Sequence, residues 1–184
     1  AALTLNERPI RIPPICSETP QVDFEGELGV VIGRNSRDVP VDRALDAVLG
    51  YTVANDVSAR WWQKQGSGKQ FFRGKSFDSF CPIGPHVVPA RDLPDPQSLR
   101  LRTWVGTELM QEAQTSEMIF SVAELIAELS RGMTLLQGTL LLTGTPGGVG
   151  FARVPPRFLR DGDRVSIEIE GIGRLENPVV EEQV

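Results

Sequence analysis

Glycine and proline, 18 and 14 residues respectively, are spread along the whole chain. One frees the backbone and the other fixes φ and removes a donor, so this punctuation predicts many short elements joined by tight turns and excludes long helical bundles. Two segments read as helical. "VDRALDAVLG" would place Val41, Ala44, Leu45, Val48 and Leu49 on one stripe, with Gly50 as the stop. "SVAELIAELSRG" has clearer end signals. Ser121 and Glu124 form a capping box, Val122, Leu125, Ile126 and Leu129 make an apolar face, and Gly132 closes it.

Elsewhere the pattern has period two. "SLRLRTWV" sets Leu99, Leu101, Thr103 and Val105 against polar neighbours, and "RVSIEIEG" does the same with Val165, Ile167 and Ile169, as half-buried strands do. "GYTVAND" and "GTLLLTGTP" are continuous apolar runs that end in polar turn formers, the pattern of central strands delivering groups to a site. Asp56 and Thr145 stand at those ends. The expected fold is α+β and predominantly β, with mixed sheets and a few short helices.

One strand is unusual. "DFEGELGVVIGR" projects Asp23, Glu25 and Glu27 to one face before entering an apolar run. Two carboxylates ~4 Å apart at an effective dielectric of ~20 repel by about 4 kcal/mol, a penalty that a divalent cation removes. Oxygen donors suit Mg2+, Mn2+ or Ca2+ rather than zinc, and the chain has one histidine, His86, and no close cysteine pair. Spacing alone also fits an edge strand with a solvated acidic face. Asp56 fits two roles as well, a helix N-cap or a third metal oxygen beside Glu25 and Glu27. Lys75, in the Gly-rich "GKSFDSFCPIGP", is either solvated or placed to act on a bound anion as acid, base or counter-charge. "LLTGTPGGVG" lacks the lysine of a phosphate-binding loop.

Bulk properties narrow the class. The 184 residues have the size of one ordinary domain, expected here as a single unit over residues 1–184 with a lead-in over 1–21. A formal net charge of -5 without a Lys/Arg run argues against nucleic acid. No apolar span approaches a membrane helix, and two cysteines are too few for a disulfide framework. A cytoplasmic location is therefore expected, or the mitochondrial matrix if the source is eukaryotic. "AALTLNERPI" shows no secretory signal and no initiator Met, so either a processed presequence or a lost upstream segment is open.

Six segments, "DFEGELGVVIGR", "GYTVANDVSARWWQ", "GKSFDSFCPIGP", "TSEMIFSVAELI", "LLTGTPGGVG" and "LRDGDRVSIEIEGIGRLENPV", follow one another in the order and spacing of the fumarylacetoacetate hydrolase family. The resemblance covers Val22 to Val180. It implies a twisted β-roll, usually homodimeric, that holds Mg2+ or Mn2+ through Glu25, Glu27 and Asp56. Lys75 would be catalytic, and Arg60, Gln63 and Thr145 would contact substrate. The family acts on small 2-oxo acids, many of them acylpyruvates, through a metal-stabilised enolate. C–C bond hydrolysis is the first expectation, with oxaloacetate tautomerisation or decarboxylation as the alternative and a non-catalytic metal-binding or dimerisation module as the rival class.

Two departures qualify the resemblance. Hydrolytic members commonly use a His with a Glu partner from upstream of the metal motif, and nothing before Asp23 contains a His. His86, in "GPHVV", takes a structural or surface reading. Gly138-Thr139 stands where relatives often have Gly-Asp, a turn variation. "PPRFL" resembles the branch that includes oxaloacetate tautomerases.

Overall fold

Period-two segments pair into two five-stranded sheets in a computed structural model that describes residues 1–183. The first sheet runs β1 (Leu3–Leu5), β7 (Cys81–Pro89), β5 (Val48–Asn55), β4 (Gly26–Ile32) and β10 (Leu140–Leu142). The second runs β2 (Ile10–Ile12), β12 (Gly173–Glu181), β11 (Arg164–Ile169), β8 (Arg100–Val105) and β9 (Glu108–Gln114). A two-residue pair, β3 (Val22–Asp23) with β6 (Ser58–Ala59), completes the strands. Both sheets are mixed, because β1 joins β7 and β2 joins β12 in parallel while the other pairings are antiparallel. The first 21 residues thus give an edge strand to each sheet. The fold is α+β and predominantly β, as expected.

Inward side chains of both sheets merge into one core that includes Phe24, Leu28, Tyr51, Phe80, Ile167 and Leu175. Alternation in β8 and β11 is as the sequence predicts: Leu101, Thr103, Val105, Val165, Ile167 and Ile169 are all buried. The sheets approach closely at Gly26. A Cβ there would lie 2.2 Å from Thr103 Oγ1, so only glycine lets the acidic strand pass so near β8.

The helices are short. α1 (Pro14–Ser17) and α2 (Phe71–Gly74) have four residues each. α3 (Val122–Ser130) begins at the expected capping box, with the Ser121 hydroxyl accepting from the Glu124 amide and Glu124 accepting from the Ser121 amide. It buries Val122 and Ile126, leaves Leu129 outward, and is followed by Gly132 at φ 69°. The other helical expectation is corrected. Val41–Ala47 is a 3-10 helix that buries Ala44 and Ala47, while Val48, Leu49 and Gly50 already belong to β5. Gly50 cannot be a helix stop, because it pairs with Val31 and Pro89 inside the sheet. β10 is likewise not central. It lies at the sheet edge, half-buried, and only three residues long. Among the described residues no helix is long and apolar enough to cross a membrane.

Candidate metal centre

Register brings the carboxylates together. β4 and β5 are antiparallel with Glu27 opposite Ala54, and beyond the paired ladder the Asp56 amide donates to the Glu25 carbonyl at 2.9 Å. Residues directly opposite share a face, so Glu25 and Glu27 from one strand meet Asp56 from the end of the other, and Ala54 leaves room between them. One carboxylate oxygen from each of the three lies within 4.8 Å of the others. Asp56 is not a helix N-cap: β6 begins two residues on at Ser58, and the next helical turn starts beyond it at Arg60.

Burial makes this arrangement costly without a counter-charge. Glu27 is 2% exposed. Its carboxyl is pushed up to about 8, first by burial and then by Asp56, against the Gly144 amide that stabilises the anion. Asp56 is also raised, by burial before the opposing pull of Lys75. Lys75 follows α2, and its Nζ lies 2.9 Å from Glu25 Oε2, 2.5 Å from Asp56 Oδ2 and 2.8 Å from Ser58 Oγ. Burial alone would lower the Lys75 ammonium, but Asp56 and Glu25 outweigh it and the group is held above its usual range. Cys81 opens β7, and its thiol is pushed up to about 11 by burial, then by Asp56 and Glu27.

The remaining expected site residues surround this group. Arg60 Nη1 donates to Glu25 Oε1 at 2.7 Å and to Gln63 Oε1 at 3.0 Å. Arg60 and Gln63 are both buried. Thr145 follows β10, where the chain runs on beside β4 through side-chain contacts. Thr143 Oγ1 donates to the Leu28 carbonyl, the Gly144 amide to Glu27 Oε2, and Thr145 Oγ1 to the Gly26 carbonyl. Asp23 closes β3, just before the acidic pair, and turns away from the triad. It is fully buried against Arg60 and the Gly150 and Phe151 amides. His86 is exposed on β7 beside Gly173.

Sequence reasoning missed two residues. Ser58 is the third partner of Lys75. Gln111, only 1% exposed, accepts from the Gly26 amide and donates to Thr145 Oγ1 and the Pro146 carbonyl. Its signal is masked by a β-bulge opposite Thr103–Trp104, which turns both Met110 and Gln111 inward and breaks the alternation of "ELMQEAQ". A cavity of about 430 Å3 lies along Gly144 and Thr145, walled by Leu28, Leu101, Met118 and Phe120. Glu25, Glu27, Asp56 and Lys75 do not line it.

A curled two-sheet fold presenting three converging carboxylates beside a lysine defines a protein with an oxygen-donor site able to hold a divalent cation. The chain belongs to the fumarylacetoacetate hydrolase family, whose model "Fumarylacetoacetate (FAA) hydrolase C-terminal" matches residues 1–180. It is 48% identical over 172 residues to the mitochondrial oxaloacetate tautomerase fahd2 of Xenopus laevis, covering 94% of this chain and 53% of that protein. The 2-hydroxyhepta-2,4-diene-1,7-dioate isomerase of Mycobacterium marinum superposes with a TM-score of 0.88 at 48% identity, over 100% of this chain and 67% of that one. The fumarylacetoacetate hydrolase of Exiguobacterium antarcticum does so at 0.92 and 43%, over 98% and 64%. The chain thus spans about half the length of the curated relatives it matches.

Proposed function

We propose that this chain is the single catalytic domain of a Mg2+- or Mn2+-dependent enzyme that interconverts the enol and keto forms of a small 2-oxo acid, with oxaloacetate as first candidate. The observation that carries this reading is Lys75 Nζ in hydrogen-bond contact with Glu25 and Asp56, two of the three convergent carboxylates. The donor set fits the cation: three carboxylates, two of them raised by burial, with no nitrogen or sulfur donor among them. When bound there, Mg2+ or Mn2+ supplies a Lewis acid for the keto and carboxylate oxygens of a 2-oxo acid.

Tautomerisation asks for little else. The enol oxygen loses a proton and C3 gains one, so the residues needed are a proton carrier and groups that fix the substrate plane. Lys75 Nζ is the carrier, steadied by the Ser58 hydroxyl. The Gln63 amide nitrogen donates to no protein group among the described residues and is free to hold a substrate oxygen, while its Oε1 is fixed by Arg60. Thr145 supports the floor through Gly26 and Gln111, and Arg60 acts from behind Glu25. Water-activating imidazole is not required for this step. C–C bond hydrolysis is the second reading, supported by likeness to a solved hydrolase. A homodimer is part of the proposal on the family resemblance.

The test is incubation of the protein and Mg2+ with oxaloacetate, acetylpyruvate and fumarylpyruvate while following enol and diketone absorbance. Faster loss of the oxaloacetate enol band without new acids supports tautomerisation. Cleavage products support hydrolysis, loss of carbon dioxide supports decarboxylation, and no change with any substrate supports the binding module. Lys75→Ala should lower the active rate by about 10²- to 10⁴-fold, the usual worth of a positioned proton carrier.

A further inference from the structure

We infer that Asp23 is a positioning residue, holding Arg60 so that Glu25 turns a single oxygen toward the metal site; this rests on the metal reading above. Both oxygens of Asp23 are committed. Oδ1 accepts from the Phe24 amide at 2.9 Å and the Gly150 amide at 2.8 Å, and Oδ2 accepts from the Phe151 amide at 3.0 Å and Arg60 Nε at 2.9 Å. Arg60 Nη2 also lies 2.7 Å from Oδ2. With four donors in place Asp23 has no oxygen for a cation, although it stands two residues before Glu25 in the same acidic segment.

One edge of the Arg60 fork is therefore taken by Asp23, and Nη1 is left to meet Glu25 Oε1 at 2.7 Å. Glu25 Oε2 is then left to meet Lys75, which also holds Asp56. Without Asp23, the guanidinium is free to close fork-to-fork on Glu25 and occupy both oxygens, the favoured geometry of arginine with a carboxylate. The same aspartate fixes a loop. The Gly144 amide is held by Glu27 Oε2 at 2.8 Å and the Gly150 and Phe151 amides by Asp23, so two carboxylates of one acidic segment grip opposite ends of Gly144–Phe151. Gly150 is required for this contact, since a Cβ there would meet Asp23 Oδ1 at 2.7 Å and the Arg157 carbonyl oxygen at 1.8 Å.

Free Mn2+ measured by electron paramagnetic resonance during titration tests the role. Asp23→Asn keeps an acceptor for the Phe24 and Gly150 amides but turns an amide nitrogen toward the guanidinium and the Phe151 amide. It should weaken Mn2+ binding about 10- to 100-fold, the range seen when partners of metal ligands are lost. In an Arg60→Gln background the same change should have little further effect, because the link is already cut. Should Asp23→Asn fail to fold, Arg60→Lys replaces it: a single ammonium cannot span both carboxylates, so weaker binding is again expected. A purely structural role would lower the melting temperature and leave affinity unchanged. Unchanged affinity in the folded variants, or a full Asp23→Asn effect that persists without Arg60, overturns the positioning role alone. No Mn2+ binding by the unmodified chain overturns the metal reading and this role together.

Discussion

At the scale of single residues, Glu27 gives the clearest consequence. Its carboxyl is raised from an ordinary value of 4.5 to about 8, first by burial. A folded pKa above the unfolded one means the metal-free fold binds the proton more tightly. The stability this contributes is complete below the unfolded value and disappears as pH rises through the folded one, with a slope of at most ~1.4 kcal/mol per pH unit. Metal-free protein should therefore lose stability to urea between about pH 5 and 8. Cation binding needs the anion, so at pH 7 it should release a proton from Glu27. Calorimetric Mn2+ titrations in buffers of different ionisation enthalpy read that proton directly. Heats that do not change with buffer would contradict the assignment of Glu27 as a buried, protonated ligand.

At the scale of elements, α3 and the Gly144–Phe151 loop differ in how they are specified. α3 is set locally: its capping box and apolar spacing lie within ten residues of sequence, and Ser121→Ala should cost about 1 kcal/mol in thermal unfolding without touching metal affinity. The Gly144–Phe151 loop is set by distant partners, so Gly150→Ala pushes a methyl into the Arg157 carbonyl and should cost about 1–3 kcal/mol and expose the Phe151 amide to hydrogen exchange. The same distinction explains what was legible. Strands β8 and β11 and the capping box follow from period and propensity. Val41–Gly50 reads as a helix because its apolar spacing fits one, yet sheet pairing claims Val48–Gly50. Glu25, Glu27 and Asp56 were found as types in a pattern, and only the β4–β5 register shows why they converge. Gln111 escaped because its partner Gly26 lies 85 residues away in sequence, and the hold that Asp23 takes on Gly150 spans 127 residues, beyond any local pattern.

At the scale of the whole molecule, the site is built into the core. Phe24 sits between Asp23 and Glu25 in sequence, fully buried in the shared core, while the acidic side chains turn the other way. Phe24→Ala should cost about 3–5 kcal/mol in urea unfolding, as large buried aromatics do, and should loosen metal binding with it. Conversely, a cation at 100 times its Kd should stabilise the fold by about 2.7 kcal/mol. The most direct measurement is calorimetric titration of Mg2+ and Mn2+ into the unmodified chain and into Glu25→Gln, Glu27→Gln and Asp56→Asn. Saturable binding by the unmodified chain that each substitution abolishes or weakens about 10-fold or more is expected, since a lost charged ligand is worth well over 1.4 kcal/mol. No binding by the unmodified chain, or binding that all three substitutions leave unchanged, would contradict the carboxylate triad as the metal site.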